Sequence, residues 1–407
     1  MVLDEEMPWP LNSGKRIRTW NLLRRLAIRH ELHFFTYGPV TSEARAAVDE
    51  HHIRITAVDP LPPSAGAAFW LRLAGNLFSE YPYSVTKHFT ARLQRAVMNA
   101  IERQRFDLAH IEWVPYASYL TPGLPRVLDA HNVESDIWTR RAQHSGIAGR
   151  KFFGLQAQRM EKFERHQSSR AECVVAVSEL DAQRFRMYGV NVAVVPNGVD
   201  LDYFRPVQNA SHSGSLLFLG SLDWFPNEDA VIEFALQTLP LLRSKNNGIT
   251  LRVVGRRPSK KLRAALRALP GLELIGEVPD VRDHIAQACA VVVPLRIGGG
   301  TRIKILEAMA MGKPVISTSM GAEGLQVEDG RDLLIANTPQ EFSAKIEMLL
   351  GNPEQALWLE RNARVTVERL YGWDAAAQKL EQVWITAADR KQTSSASPAL
   401  AMEEATR

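Results

Sequence analysis

The chain has 407 residues, 45% hydrophobic and 23% charged, with 49 Lys and Arg against 45 Asp and Glu, a formal charge of +4. These figures describe an ordinary globular protein of two or three domains. They exclude a small staple-dependent scaffold and offer no cation excess for wrapping a polyanion, although a pI near 9.0 allows acidic substrates or an anionic membrane surface.

Residues 1–10, MVLDEEMPWP, carry three acids and no basic region before an apolar stretch, so no secretory signal is read and a cytoplasmic protein is expected. No apolar run approaches the ~20 residues of a membrane span. Short Val, Ile and Leu runs alternate with segments of helical period, which predicts parallel sheets covered by helices. In the first half the predicted strands are Met1–Leu3, His33–Tyr37, Ile53–Val58, Leu108–Glu112, Arg126–Ala130 and Val174–Val177, and the helices include Arg18–Arg29, Ala91–Gln104 and Lys151–Ser168. Met1–Leu3 is short for a buried strand, so a natural start a few residues upstream is expected. Ala67–Phe78 is read as a core helix, with a helix on a membrane surface as the alternative. A linker carrying PNGVD at 196–200 leads to a second series of strands, Ser215–Gly220, Leu251–Val254, Leu272–Ile275, Ala290–Pro294, Val315–Ser317 and Leu333–Ile335. Their helices are Glu228–Leu242, Lys260–Leu269, Val281–Ala288, Arg302–Met311 and Pro339–Leu350. The last residues, 390–407, are Ser-, Ala- and Thr-rich without periodicity and are expected to be a disordered tail.

The most informative stretch is Val291–Ser317, VVVPLRIGGGTRIKILEAMAMGKPVIS, a buried strand, glycine loop, helix and next strand. Gly298, Gly299 and Gly300 let backbone amides approach a ligand, and Thr301 is a good N-cap. A helix N-terminus with free amides is an anion site. Arg302, expected in the first turn, opposes the helix dipole unless an anion compensates it. Lys304 and Arg296 add to the same positive site, and Glu307 lies roughly 8 Å along the axis, the reach from a diphosphate to a ribose.

Several signatures fail. Cys173 and Cys289 are too few for a disulfide framework or a four-ligand zinc site, and read as buried thiols. Asp200–Asp202 (DLD) sits in the linker, and in His30–His33 (HELH) the second His comes one position too early for a zinc helix. No metal site is expected, and neither a Walker loop nor GxGxxG is present.

Leu306–Val315 (LEAMAMGKPV), the glycine loop before it, PNGVD, Gly255 after a Val-Val strand and Gly321–Leu325 (GAEGL) together resemble glycosyltransferase family 4. The similarity runs from Pro8–Leu26 to Tyr371–Asp374. It implies an α/β GT-B fold, two Rossmann-like parallel-sheet domains facing across a cleft: an acceptor-binding domain over 1–190, a nucleotide-sugar domain over 191–372, and a helix over 373–389 crossing back. Implied with it are retaining transfer from a nucleotide diphosphate-sugar, without metal, to a carbohydrate or lipid-linked acceptor in polysaccharide or glycolipid synthesis, with peripheral contact to the inner membrane surface.

By the resemblance, Glu307 matches the second glutamate of the family's Glu-x7-Glu motif, which holds the donor ribose, while the first falls at Gly299. Family members often carry an Arg after the first strand of the second domain and a Lys six residues later, both facing the diphosphate. Here those positions are Ser221 and Asn227, which leaves Arg302, Lys304 and Arg296, or Arg256 and Arg257, to neutralise the leaving group. In the first domain Gly14 matches the family's glycine loop with Lys15 beside it on the acceptor side; His131 falls near the donor sugar, and Glu134 is expected to bind acceptor or orient His131. An epimerase of the same fold and a non-catalytic nucleotide-sugar-binding protein remain as alternatives. A nucleic-acid binder is disfavoured because basic residues do not cluster beside aromatics.

Overall fold

The computed structural model describes residues 1–61, 66–119, 121–207, 214–267, 269–297 and 302–404. The chain divides into two compact units, one of Met1–Leu11, Lys15–Pro196 and Ala376–Arg407, the other of Asn12–Gly14 and Asn197–Ala375.

The first unit is built on a seven-stranded parallel sheet: β1 (Val2–Leu3), β2 (His33–Tyr37), β3 (Arg54–Val58), β4 (Ala109–Glu112), β5 (Arg126–Ala130), β6 (Cys173–Ala176) and β7 (Val192–Val194), in the order β3-β2-β1-β4-β5-β6-β7. Strands β4, β5 and β6 are almost wholly buried, as parallel strands covered on both faces must be. β1 has only two residues, yet it sits between β2 and β4, pairing Val2 with Phe34 and His110. The order reverses between β1 and β4, so the carboxyl ends of these strands form a topological switch point, where open α/β sheets bind ligands. β7 lies in the stretch read as linker; three half-buried residues carry too little pattern to be seen, and pairing with β6 makes them a strand.

Two expectations about helices are corrected. Ala67–Asn76 is helical, but it is not a core helix: Trp70 is 65% and Leu71 75% exposed, and Phe78 just beyond it is 94% exposed. The C-terminal helix runs Trp373–Glu404, so the backbone of 390–404 continues a helix where a disordered tail was expected. Ala376, Ala377, Leu380, Trp384 and Ala387 bury one stripe of its first half.

The second unit has a six-stranded parallel sheet of β8 (Ser215–Leu219), β9 (Thr250–Val254), β10 (Leu272–Gly276), β11 (Ala290–Val293), β12 (Val315–Ser317) and β13 (Leu334–Ile335), ordered β10-β9-β8-β11-β12-β13. Its switch point lies between β8 and β11. The helix expected at Glu228–Leu242 is in fact Phe225–Glu233, a π turn at Phe234–Thr238 and Leu239–Lys245; Pro240 has no amide to continue the ladder. Beyond β8 and β9 the backbones nearly touch, since a Cβ on Gly255 would overlap the Gly220 carbonyl oxygen. No helix among the described residues is long and apolar enough to cross a membrane.

Candidate active site

In the second unit, Arg302 occupies the N-cap position of the Ile303–Ala310 helix, not its first turn as expected; its non-helical backbone (φ −86°, ψ 95°) ends the loop instead of starting the ladder. The side chain is buried, with the guanidinium 5.6 Å from the Trp224 ring. Lys304 Nζ donates to Asn227 Oδ1 (2.8 Å) and lies 4.5 Å from the Phe218 ring centroid. Asn227 Nδ2 in turn donates to the Ser221 carbonyl oxygen (2.9 Å). A Cβ at Gly220 would stand 2.7 Å from Lys304 Nζ, so glycine at the end of β8 is what lets the ammonium reach this place.

Burial pushes Lys304 down to about 7, helped by the nearby Arg302 charge and opposed by Glu307. Burial pushes Glu307, one turn further on, up to about 7 against the pull of Lys304. Arg256 Nε donates to Ser221 Oγ (3.3 Å), and its Nη1 to Asn12 Oδ1 (3.2 Å), which belongs to the same compact unit with Ser13 and Gly14. Gly14 opens the Gly14–Leu26 helix, and a Cβ there would stand 3.7 Å from Ile303 Cδ1.

The expected role of Arg296 needs correction: it pairs with Asp229 (2.9 Å) and Glu233 (3.2 Å), so its charge is already neutralised. Arg257 is exposed, 3.8 Å from Asp223. Gly298, Gly299, Gly300 and Thr301 lie outside the described residues.

In the first unit, charged groups converge at the carboxyl ends of β1, β4 and β5. Lys15 bridges Asp4 (2.5 Å) and Glu5 (2.8 Å), with Nζ 5.2 Å from the Trp113 ring. Burial opposes its charge, but these two carboxylates outweigh burial and hold Lys15 above its usual range. His88 Nε2 lies 3.2 Å from Glu5. Trp113 has φ +79°, a costly conformation for a bulky residue. It is pinned by its amide donating to Asp129 O (3.0 Å) and its indole donating to Glu134 Oε1 (2.8 Å). The amides of Glu134 (2.7 Å) and Ser135 (3.3 Å) donate to Glu164, which completes the start of the Glu134–Gln143 helix.

His131, just past β5, meets Glu112 Oε2 through Nε2 at 2.6 Å, and its side chain is 10% exposed. The orienting carboxylate is therefore Glu112, not Glu134, whose carboxylate is engaged with Trp113. Asp129 receives Arg18 at 3.0 Å inside the core. His110, Glu112 and Asp129 lie close enough to suggest metal ligands, but Arg18 already neutralises Asp129, and His110 and Glu112 bond to each other (3.3 Å). Sequence reading missed Glu112, Asp129, His110 and Arg18. The available signal was an acid at or next to the last residue of two strands that are otherwise apolar.

A family profile described as Glycosyltransferase Family 4 matches residues 13–203, and one described as Glycosyl transferases group 1 matches residues 213–352. The chain is 30% identical over 211 residues to a D-inositol 3-phosphate glycosyltransferase of Frankia alni, covering 46% of this chain and 51% of that protein. It is 29% identical over 227 residues to a phosphatidyl-myo-inositol mannosyltransferase of Mycobacterium leprae, covering 53% and 59%. The chain thus spans about half the length of these curated relatives. Among solved structures, Anabaena HepE in complex with UDP and glucose superposes with a TM-score of 0.66 at 16% identity, covering 94% of this chain and 98% of that one. With both halves matched in sequence and both sheets matched in architecture, the chain belongs to the group 1 glycosyltransferases of family 4 and has their GT-B fold.

Proposed function

We propose that the protein is a retaining glycosyltransferase that moves a sugar from a nucleotide diphosphate-sugar to the hydroxyl of a carbohydrate or lipid-linked acceptor, working in the cytoplasm. One observation carries the reading: Arg256 reaches Ser221 and Lys304 reaches Asn227, so a cation attends each of the two positions where family members carry Arg and Lys. A diphosphate leaving group needs fixed positive charge in a desolvated site, and Lys304, Arg256 and Arg302 supply it without a metal. In this reading Glu307, one turn along the same helix, accepts from the donor ribose. The HepE structures that share this fold hold UDP or UDP-glucose.

In the proposed step the acceptor oxygen bonds to the anomeric carbon from the face that the diphosphate leaves. The sugar–phosphate bond breaks, and the departing phosphate oxygen takes the acceptor's proton. In this reading the acceptor side belongs to the first unit, with His131, Lys15 and Glu134 as its candidate residues. The exposure of Trp70, Leu71 and Phe78 supports peripheral contact with a membrane surface that carries a lipid-linked acceptor.

Thermal unfolding in UDP-, GDP- and dTDP-sugars tests the reading. A donor at about 100 times its Kd adds ~2.7 kcal/mol, a rise of several degrees. No shift with any of them refutes it. Release of an altered sugar without acceptor identifies an epimerase instead.

A further inference from the structure

The buried polar side chains behind His131 form a directed chain. Trp384 Nε1, from the C-terminal helix, donates to His110 Nδ1 at 3.1 Å. An indole N–H can only donate, so His110 Nδ1 accepts and its proton sits on Nε2. That Nε2 faces Glu112 Oε1 at 3.3 Å, while the other carboxylate oxygen faces His131 Nε2 at 2.6 Å. Trp384 is 7% exposed, and His110 and Glu112 are fully buried, so water does not compete for these bonds. Burial alone pushes the Glu112 carboxyl up, but the bonds from His110 and His131 outweigh it and hold Glu112 well below the usual carboxylate range. An ionised carboxylate accepts only, so His131 too must donate from Nε2. Its Nδ1 makes no hydrogen bond among the described residues.

We propose that Trp384, His110 and Glu112 are positioning residues that lock His131 as its Nε2–H tautomer, leaving the Nδ1 lone pair as the group that meets a substrate hydroxyl. The catalytic consequence rests on the transferase reading above; the tautomer does not. Asp129 stays outside the chain because Arg18 holds it with both carboxylate oxygens within 3.3 Å of Nη2. The sequence separation of His110 from Trp384 is 274 residues, so the C-terminal helix reaches the site through hydrogen bonds and not through any motif.

Long-range 1H–15N spectra of the full chain labelled with 15N-histidine test this directly. His131 is expected to show one tautomer, with Nε2 protonated and Nδ1 bare, its signals identified by their loss in His131→Asn. Glu112→Gln is expected to give a tautomer mixture at His131, and kcat for UDP release from UDP-glucose or GDP release from GDP-mannose about 100-fold lower, with KM within threefold. Trp384→Phe leaves Glu112 in place, removing the indole donor and part of the ring that meets His110 edge-on. It is expected to mix the tautomers of His110 and lower kcat about tenfold, and it decides the matter where Glu112→Gln fails to fold. A mixed or Nδ1–H His131 in the native protein overturns the proposal, as does a loss confined to KM. A single Nε2–H tautomer in a protein that turns over no nucleotide sugar supports the lock and refutes the transferase reading.

Discussion

Lys304→Met separates binding of a leaving group from stability of the fold. The substitution keeps the length and most of the apolar stem, removing the ammonium that donates to Asn227 at 2.8 Å and faces the Phe218 ring. Two opposed effects follow. In the free protein, the ammonium is held where burial and Arg302 bring its pKa from 10.5 to about 7, so a charged Lys304 is a liability on the order of a few kcal/mol. Losing the Asn227 hydrogen bond costs back about 1 kcal/mol. The variant is therefore expected to be at least as stable as the native protein at pH 6 in urea unfolding. In turnover, a fixed donor aimed at developing charge contributes about 2.7–4 kcal/mol, or 10²–10³ in kcat. Steady-state release of the nucleoside diphosphate measures that loss. A variant that unfolds earlier at pH 6, or one that keeps kcat within threefold, refutes the assignment of Lys304 to the diphosphate.

The combined contribution of Lys304 and Glu307 to stability of the free protein should pass through a minimum near pH 7. Glu307, raised from 4.5 to about 7, contributes stability below pH 4.5 that is lost as pH rises to 7; Lys304, lowered from 10.5 to about 7, contributes stability that grows from pH 7 towards 10.5. In urea titrations across pH, Glu307→Gln should remove the fall and Lys304→Met the rise. Arg302→Ala should lower kcat at least tenfold while Arg296→Ala keeps it within threefold, because Asp229 and Glu233 already neutralise Arg296. Paired kinetics on the two variants check this. Trp70→Ser with Phe78→Ser should weaken sedimentation with phosphatidylglycerol vesicles at least tenfold while leaving unfolding within about 0.5 kcal/mol, since both side chains are mostly exposed.

Much of the fold was legible in the chain. β2, β5 and β12 fall on the residues their apolar runs predict, and most other strands differ by one residue at an end. Buried parallel strands announce themselves as short continuous runs of Val, Ile and Leu. The misses follow from weak local signal: β7 has three half-buried residues, and Ala67–Asn76 has the composition of a core helix while lying exposed. In the candidate site, the residues found by pattern were those next to glycine loops or strand ends: Arg302, Lys304, Glu307 and His131. The pairings they make were not found. Arg296 looked as available as Lys304, because nothing local says that Asp229 and Glu233 lie opposite it.

The sequence by itself determined two parallel-sheet series, the family and a cationic helix start at residue 302, since each depends on the period or spacing of residues close in the chain. Only the tertiary structure decided which cations attend Ser221 and Asn227, and that Glu112 rather than Glu134 orients His131. Those assignments rest on hydrogen bonds between residues 19 to 77 positions apart. Such bonds exist only once a core excludes the water that would otherwise satisfy each group alone.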